Sequence, residues 1–294
     1  MDEKDWQAII MVAEEKNITK AAARLYVSQP ALTYRLRNIE NEFGAKLMSR
    51  STSGIALTPQ GEYLHNCAKE MLLQLRNMKN KIRDMDDEVG GSLYIGTSAV
   101  YAHYELPDIL KGFLEKYPDV DVSLKTGLSN KIITLLYKKE ISLAIVRGEH
   151  HWEDRKFLLN EEPICLTSHR ELRLEDLPST PQISYGTDSS LQKLTDEWWR
   201  ETFNEPRNVT MEVDSMDTAR QMVLCGLGWA ILPAIGLRRH DALQTQPLIW
   251  KDGTPLTRKT WLLCSSPFYD LRTVQAFIGY VKECSREKWM ANHF

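Results

Sequence analysis

An α/β protein is what the sequence predicts: a small helical head, one long helix, and a body of alternating strands and helices folded as two lobes. Three observations carry the prediction. The first 58 residues hold three short amphipathic helical segments and then two short strand-like runs. After Pro59 no proline occurs until Pro107, and apolar side chains recur at steps of four and three. From Gly90 onward, short apolar runs alternate with helical ones, the pattern of βαβ units. Length agrees, since 294 residues exceed what one hydrophobic core usually organises. With 43% hydrophobic and 26% charged residues the chain is an ordinary globular one, neither disordered nor fibrous.

A net charge of -3 excludes a polycation that coats nucleic acid indiscriminately, so any nucleic-acid role must sit in a local patch. Asp2, Glu3 and Asp5 precede the first apolar run, unlike a secretory signal, and no stretch approaches the roughly 18 apolar residues of a membrane span. The expectation is a cytoplasmic protein with no membrane partner. Of five scattered cysteines without a CxxC pair, Cys67, Cys165, Cys225, Cys264 and Cys284, most read as small buried apolar residues in a reducing compartment.

In the head, Trp6, Ile9, Ile10 and Ala13 mark an amphipathic first helix ending near Lys16 and Asn17. Thr19 is a suitable N-cap for a second helix of about two turns through KAAARL, with Ile18 stapling against Ala23 and the end near Tyr26. Ser28 then caps a third helix, with Pro30 in its first turn, where an amide has no helical acceptor. Leu32, Leu36, Ile39 and Phe43 form its buried stripe, and Gly44 ends it. The opposite face shows Gln29, Thr33, Tyr34, Arg37 and Asn38. A tight turn between two helices, the second presenting amide, hydroxyl and guanidinium groups, is what a helix-turn-helix needs to enter the major groove. Gln can pair with adenine, Arg can fork onto guanine, and a helix N-terminus favours phosphate. Leu47 to Ser51 and Ile55 to Thr58 flank Thr52, Ser53 and Gly54 as a small hairpin, or wing.

A solvated polar face on an ordinary helix pair is the bland alternative. Local charge argues against it: residues 17–58 carry six bases (Lys20, Arg24, Arg35, Arg37, Lys46, Arg50) and two acids (Glu40, Glu42) in a chain that is acidic overall.

The run ITKAAARLYVSQPALTYRLRNIENEFGAKLMSRSTSGIALTPQGEYL resembles the winged helix-turn-helix of the LysR-type transcriptional regulators over about the first 65 positions. It carries the family's Ala-rich second helix, SQPAL helix entry and LTPQG linker start. The resemblance implies that Gln29, Pro30, Thr33 and Tyr34 face the major groove of a double-stranded DNA operator, with the wing near the minor groove. Lys20, Ser28, Arg37, Arg50 and Thr52 are the further expected DNA contacts. Two positions depart from the family: the place of Tyr34 is often Arg, and the wing offers Arg50 beside Ser51, Thr52 and Ser53 where several arginines are usual.

Thr58 and Pro59 start the long helix, residues 59–89, as N-cap and first-turn proline. Leu64, Ala68, Met71, Leu75, Met78, Ile82, Met85 and Val89 keep a heptad seam, which favours pairing with a second copy over packing on the chain's own core. A homodimer follows, suited to a roughly palindromic operator. The resemblance implies antiparallel pairing of these helices, association of dimers into tetramers, and RNA polymerase as a further partner.

Gly90 and Gly91 break the helix, and residues 90–294 form the body. SLYIGTS, a helix over Leu106 to Tyr117, DVSLKTG, a helix around Ile132 to Tyr137, and SLAIV make one set. ICLTS, QISYG, a helix from Leu191 to Phe203, VTMEV, a helix from Ala219 to Cys225, WAILP and TWLLCSS make a second, before a terminal helix over Leu271 to Cys284. Two α/β lobes are the economical reading, and ligands of such folds sit beyond the carboxyl ends of strands. The resemblance implies an effector domain like the periplasmic solute-binding proteins. Its first lobe would cover about 91–162 and 267–294, its second about 163–266, with crossings near Pro163 and Pro267. Strand ends carry Thr97, Ser98, Ala99, Thr126, Gly127, Arg147, Tyr185 to Ser190, and Ser215 to Thr218. Hydroxyls, helix N-termini and one guanidinium suit a small anionic or carboxylated metabolite. Each serine or threonine is also a plain helix-cap candidate, and Arg147 could pair with Glu149. The family places its effector near the residues matching Thr97, Ser98 and Thr126.

Other motifs fail. Gly226, Leu227 and Gly228 lack the third glycine of a dinucleotide fingerprint and lead into an apolar strand. His150 and His151 are adjacent, which is wrong for metal ligands on one helix face. No GxSxG, HExxH or Walker A sequence occurs. Neither a cofactor nor catalysis is expected. The sequence thus predicts a ligand-responsive DNA-binding regulator, with an oxidant-sensing regulator and a solute-binding receptor as the competing readings.

Overall fold

The computed structural model describes residues 1–51, 54–83, 89–237 and 242–293, and the chain divides into two compact units, Met1–Met85 and Asp86–Phe294. In the first unit, α1 (Glu3–Glu15) opens with a reciprocal cap: the Asp5 amide donates to Asp2 at 2.9 Å and the Asp2 amide to Asp5 at 2.7 Å. Helix α2 (Ile18–Arg24) is capped by Asn17, whose side chain accepts from the Lys20 amide at 3.0 Å. This corrects the expected Thr19 cap and Ile18 staple: asparagine is the stronger cap, so the helix begins earlier and takes Ile18 into its first turn. Helix α3 (Gln29–Phe43) has the expected Ser28 cap, early Pro30 and left-handed Gly44 at φ 61°. Its stripe is Leu32, Leu36 and Ile39. Phe43 is 48% exposed, because the helix runs beyond the core before it ends.

Strands β1 (Met48–Ser51) and β2 (Gly54–Leu57) pair antiparallel with Arg50 opposite Ile55. Helix α4 (Pro59–Arg83) starts against β1, where a Cβ on Gly61 would lie 1.9 Å from the Leu47 carbonyl oxygen, so only glycine fits. Thr58 ties this start down, accepting from the Gly61 amide at 3.0 Å and donating to the Lys46 carbonyl at 2.6 Å. One core cluster joins Ile9, Ile39 and Leu47 to Leu64 and Ala68 of α4.

The second unit contains β3 (Gly91–Ser98), α5 (Ala99–Tyr104), α6 (Leu106–Lys116), β4 (Val120–Gly127), α7 (Ser129–Tyr137) and β5 (Leu143–Arg147). Then come β6 (Arg155–Ser168), β7 (Gln182–Tyr185), α8 (Ser189–Thr202), β8 (Val209–Val213), α9 (Met216–Leu224) and β9 (Trp229–Pro233). The last elements are β10 (Gln244–Pro247), β11 (Thr257–Cys264), α10 (Ser266–Tyr269) and α11 (Arg272–His293). The strands follow the order β4-β3-β5-β11-β6-β9-β7-β8, with β10 on β6. Within each lobe βαβ pairs are parallel (β3 with β4 and β5, β7 with β8 and β9), whereas β6 and β11 run antiparallel to their neighbours.

One boundary differs from expectation. Strand β6 begins at Arg155 and at Pro163 passes from pairing with β11 to pairing with β9. The return falls at Leu256 and Thr257, ahead of Pro267, because β11 pairs with β5 and with the first half of β6 and buries Leu262, Leu263 and Cys264 in the first lobe. Helix α5 and strand β10 were not foreseen.

Candidate nucleic-acid interface and effector cavity

On α3, Ser28, Gln29, Pro30, Tyr34, Arg37 and Asn38 are exposed, Tyr34 by 69%. Thr33 is half-buried: it donates to the Gln29 carbonyl at 2.9 Å and accepts from the Gln29 side-chain amide at 3.2 Å, which fixes that amide along the exposed face. The Ser28 hydroxyl accepts from the Ala31 amide at 3.3 Å as a cap. Arg50 lies in β1, and Thr52 lies outside the described residues.

The local charge excess is smaller than the sequence count implies. Arg24 pairs with Glu15 at 2.5 Å, Arg35 with Asp5 at 2.6 Å and Asp2 at 3.2 Å, and Lys46 with Glu40 at 2.8 Å. Three of these acids precede the counted segment and fold back onto it. Exposed Lys20 and Arg37 have no acid partner among the described residues and remain the available cations. Tyr26 was missed: it is 96% exposed in the turn before α3 and holds a positive φ of 56°.

The heptad seam divides. Leu64 is 6% exposed and Ala68 0%, both in the chain's own core, which corrects the expectation that the whole stripe faces a partner. Met71, Met78 and Ile82 are 47%, 56% and 65% exposed, Leu75 is half-buried, and Met85 lies outside the described residues. Among the described residues no helix is long and apolar enough to cross a membrane.

In the second unit a cavity of about 300 Å³ lies between the lobes. Ser98, Ala99, Gly127 and Arg147 line it from the first lobe and Ser215 from the second. Thr97 and Thr126 do not. Thr97 is fully buried, and its register partner Thr126 is exposed on edge strand β4. Ser98 and Ser215 are caps, accepting from the amides of Tyr101 at 3.3 Å and Thr218 at 3.2 Å.

Arg147 is 2% exposed and pairs with Glu162, not with Glu149, which takes Lys156 and Lys259 at 3.4 Å each. Arg258, 5% exposed and also lining the cavity, pairs with Asp188. Asp188 doubles as the N-cap of α8, accepting from the Ser190 and Leu191 amides at 3.1 Å each. Burial pushes its carboxyl pKa up, but Arg258 and these hydrogen bonds outweigh burial and leave it below the ordinary aspartate value. Burial, then the nearby Arg258 guanidinium, lowers the Arg147 pKa. Burial pushes the Tyr185 hydroxyl up to about 12, so it stays a protonated donor. Arg147 Nε, Arg258 Nε and the Tyr185 hydroxyl are all buried without a hydrogen-bond partner, and all three residues line this cavity. Beside it, the Tyr104 hydroxyl of α5 donates to the Asp217 carboxylate of α9 and ties one lobe to the other.

Sequence reasoning missed Arg258 and Glu162, and held Tyr185 and Asp188 only as members of the strand-end stretch Tyr185 to Ser190. One signal existed: in β11, Arg258 alternates with Thr260 and Leu262 on the buried face, where an arginine needs a reason.

Cys165 and Cys264 are buried, and burial raises their thiols to about 11 and about 12. Cys225 is exposed, against the expectation of burial, because it follows the last turn of α9 instead of lying within it.

Residues 4–62 match the model of a bacterial regulatory helix-turn-helix protein of the lysR family, and residues 86–285 match the LysR substrate binding domain. Two HTH-type transcriptional regulators of Bacillus subtilis (strain 168) are similar over nearly the whole chain: YraN, 38% identical over 96% of this chain and 98% of its own, and YkuM, 35% identical over 96% and 97%. Among solved structures, full-length CbnR complexed with its target DNA has a similar fold, with a TM-score of 0.69 at 21% identity over 96% of this chain and 99% of that one. So has a full-length OxyR variant from Pseudomonas aeruginosa, with a TM-score of 0.64 at 20% identity over 96% and 98%. The exposed polar face of α3, the two-lobed body and both family matches place the chain in the LysR family of transcriptional regulators; it is a DNA-binding regulator with a substrate-binding domain, and not an enzyme.

Proposed function

We propose that this regulator binds a small anionic, carboxylate-bearing metabolite in the cavity between its lobes, and that the bound effector changes how paired copies hold an operator. The observation that carries the effector's chemistry is the lining of one cavity by Arg147, Arg258 and Tyr185, two guanidiniums and a phenol with donor atoms that have no hydrogen-bond partner among the described residues. Buried donors without acceptors are costly, and a ligand bringing oxygen acceptors to this wall suits its charge and its donors. Ser98, Ala99, Gly127 and Ser215 complete the wall. Effector control requires that the ligand prefer one arrangement of the lobes.

On DNA, Gln29, Pro30, Thr33, Tyr34 and Arg37 read the major groove, and Lys20, Ser28, Arg50 and Thr52 hold phosphates or the minor groove. Met71, Leu75, Met78 and Ile82 pair two copies, and dimers join as tetramers that engage RNA polymerase in the cytoplasm. The test of the reading head is a mobility-shift assay on DNA flanking the target gene. Gln29→Ala and Arg37→Ala each weaken specific binding by about 1–3 kcal/mol, or roughly fivefold to 150-fold. Unchanged specific binding in both overturns the assignment of that face. The test of the cavity is thermal-shift screening of small organic acids against the full chain, in which binding raises stability by mass action.

One observation favours an oxidant-sensing reading, the exposed Cys225. That reading predicts a peroxide response lost in Cys225→Ser, whereas the metabolite reading predicts the same response in both proteins. A solute-binding receptor leaves the whole first unit without a purpose.

A further inference from the structure

Arg147, Glu162, Arg258 and Asp188 form a buried quartet of two cations and two anions beside the cavity, each less than 8% exposed. The two carboxylates are held differently. Asp188 is fixed by two backbone amides, by the Ser190 hydroxyl at 2.6 Å and by Arg258, so capping α8 accounts for it. Among the described residues Glu162 has no such anchor: neither carboxylate oxygen takes a hydrogen bond from a backbone amide or hydroxyl, and it forms an ion pair with Arg147. A buried carboxylate held only by charge is expensive, and an apolar residue would serve packing better. Glu162 is also the register partner of Arg258 across β6 and β11, so it shares a sheet face with one guanidinium while pairing with the other. Without it, two guanidiniums close enough to perturb one another would be left with Asp188 and, with a smaller effect on Arg147, Glu105 as counter-ions.

We propose that Glu162 is a resident counter-ion that competes electrostatically with the effector for Arg147 and Arg258, and so sets the concentration at which the effector domain responds. Glu162 offsets the charge of the paired guanidiniums and makes their burial tolerable in the fold. It also opposes any arriving anion, which must bind beside a like charge. The inference rests on the reading of this cavity as the effector's site.

The experiment is calorimetric titration of the full-length protein with inorganic sulfate as the probe. Glu162→Gln keeps the shape and one acceptor for Arg147 but removes the charge. It is expected to bind sulfate about tenfold more tightly than wild type, at the cost of a lower melting temperature without the probe. The double variant Arg147→Met with Glu162→Met replaces the pair by packed apolar groups and is expected to lose cavity binding. If the double variant binds sulfate as wild type does, the cavity reading itself fails. If the double variant loses binding while Glu162→Gln binds no tighter than wild type, or more weakly, the competition is overturned and the cavity reading stands. Should Glu162→Gln not fold, Glu162→Asp draws the charge back by one methylene; tighter sulfate binding supports the proposal, and equal or weaker binding overturns it.

Discussion

At Asp188 one carboxylate caps a helix and neutralises an arginine, and the two tasks can be separated. Asn is itself a good N-cap, so Asp188→Asn removes the charge while leaving an acceptor for the Ser190 and Leu191 amides. The buried Arg258 then loses its counter-ion, and the second unit is expected to lose about 3–5 kcal/mol in urea denaturation at neutral pH. The pH dependence has a definite sign. Because the folded pKa lies below the ordinary 3.8, the charge stabilises the fold fully above that value, and the benefit is lost as pH falls through the lower folded pKa. The stability gap between wild type and Asp188→Asn therefore narrows as pH drops below 3.8. Tyr26 offers a second test at this scale. An aromatic side chain with positive φ and full exposure is strained without a packing return, so Tyr26→Gly relieves backbone strain and raises the melting temperature of the first unit.

Along α4, one heptad register serves two purposes. Leu64→Ala opens a hole in the chain's own core and costs about 2–5 kcal/mol of stability, read by denaturation. Met78→Glu with Ile82→Glu should leave that stability unchanged and convert the assembly to monomers, read by light scattering; dimers that persist would remove the exposed seam from the interface. The sequence could not mark this division. Spacing identifies a stripe, but only the approach of α1, α3 and β1 decides which positions the chain itself covers. Elements with strong local signals were legible: the Ser28 cap, Pro30 and Gly44 fixed α3 at both ends. Elements defined by distant pairing were not, which is why β6 and β11 were cut at prolines that the strands in fact tolerate or precede. The cavity followed suit. Ser98, Gly127, Arg147 and Ser215 were legible as strand ends, whereas Glu162 and Arg258 meet only because β6 and β11 lie side by side.

For the whole molecule, division into two compact units predicts that denaturant unfolding is not a single all-or-none transition. Fluorescence should report chiefly the second unit, since the Trp198, Trp199 and Trp229 cluster lies there. Between the lobes of that unit, Tyr104 bridges to Asp217, and Tyr104→Phe removes the bridge while keeping the ring. Amide exchange around α5 and α9 is expected to quicken several-fold, consistent with a net hydrogen bond of about 1 kcal/mol. Where the chain passes between the lobes the two crossings stay hydrogen-bonded to each other, the Ile164 amide donating to the Leu256 carbonyl at 2.8 Å just beyond the pair Pro163 and Thr257, so the joint is a ribbon and not a pair of loose tethers. A ribbon resists opening like a clamshell yet yields readily to torsion. Ligand binding to this domain should therefore register in small-angle scattering as little change in radius of gyration, and in spin-label distances as a small twist of one lobe against the other.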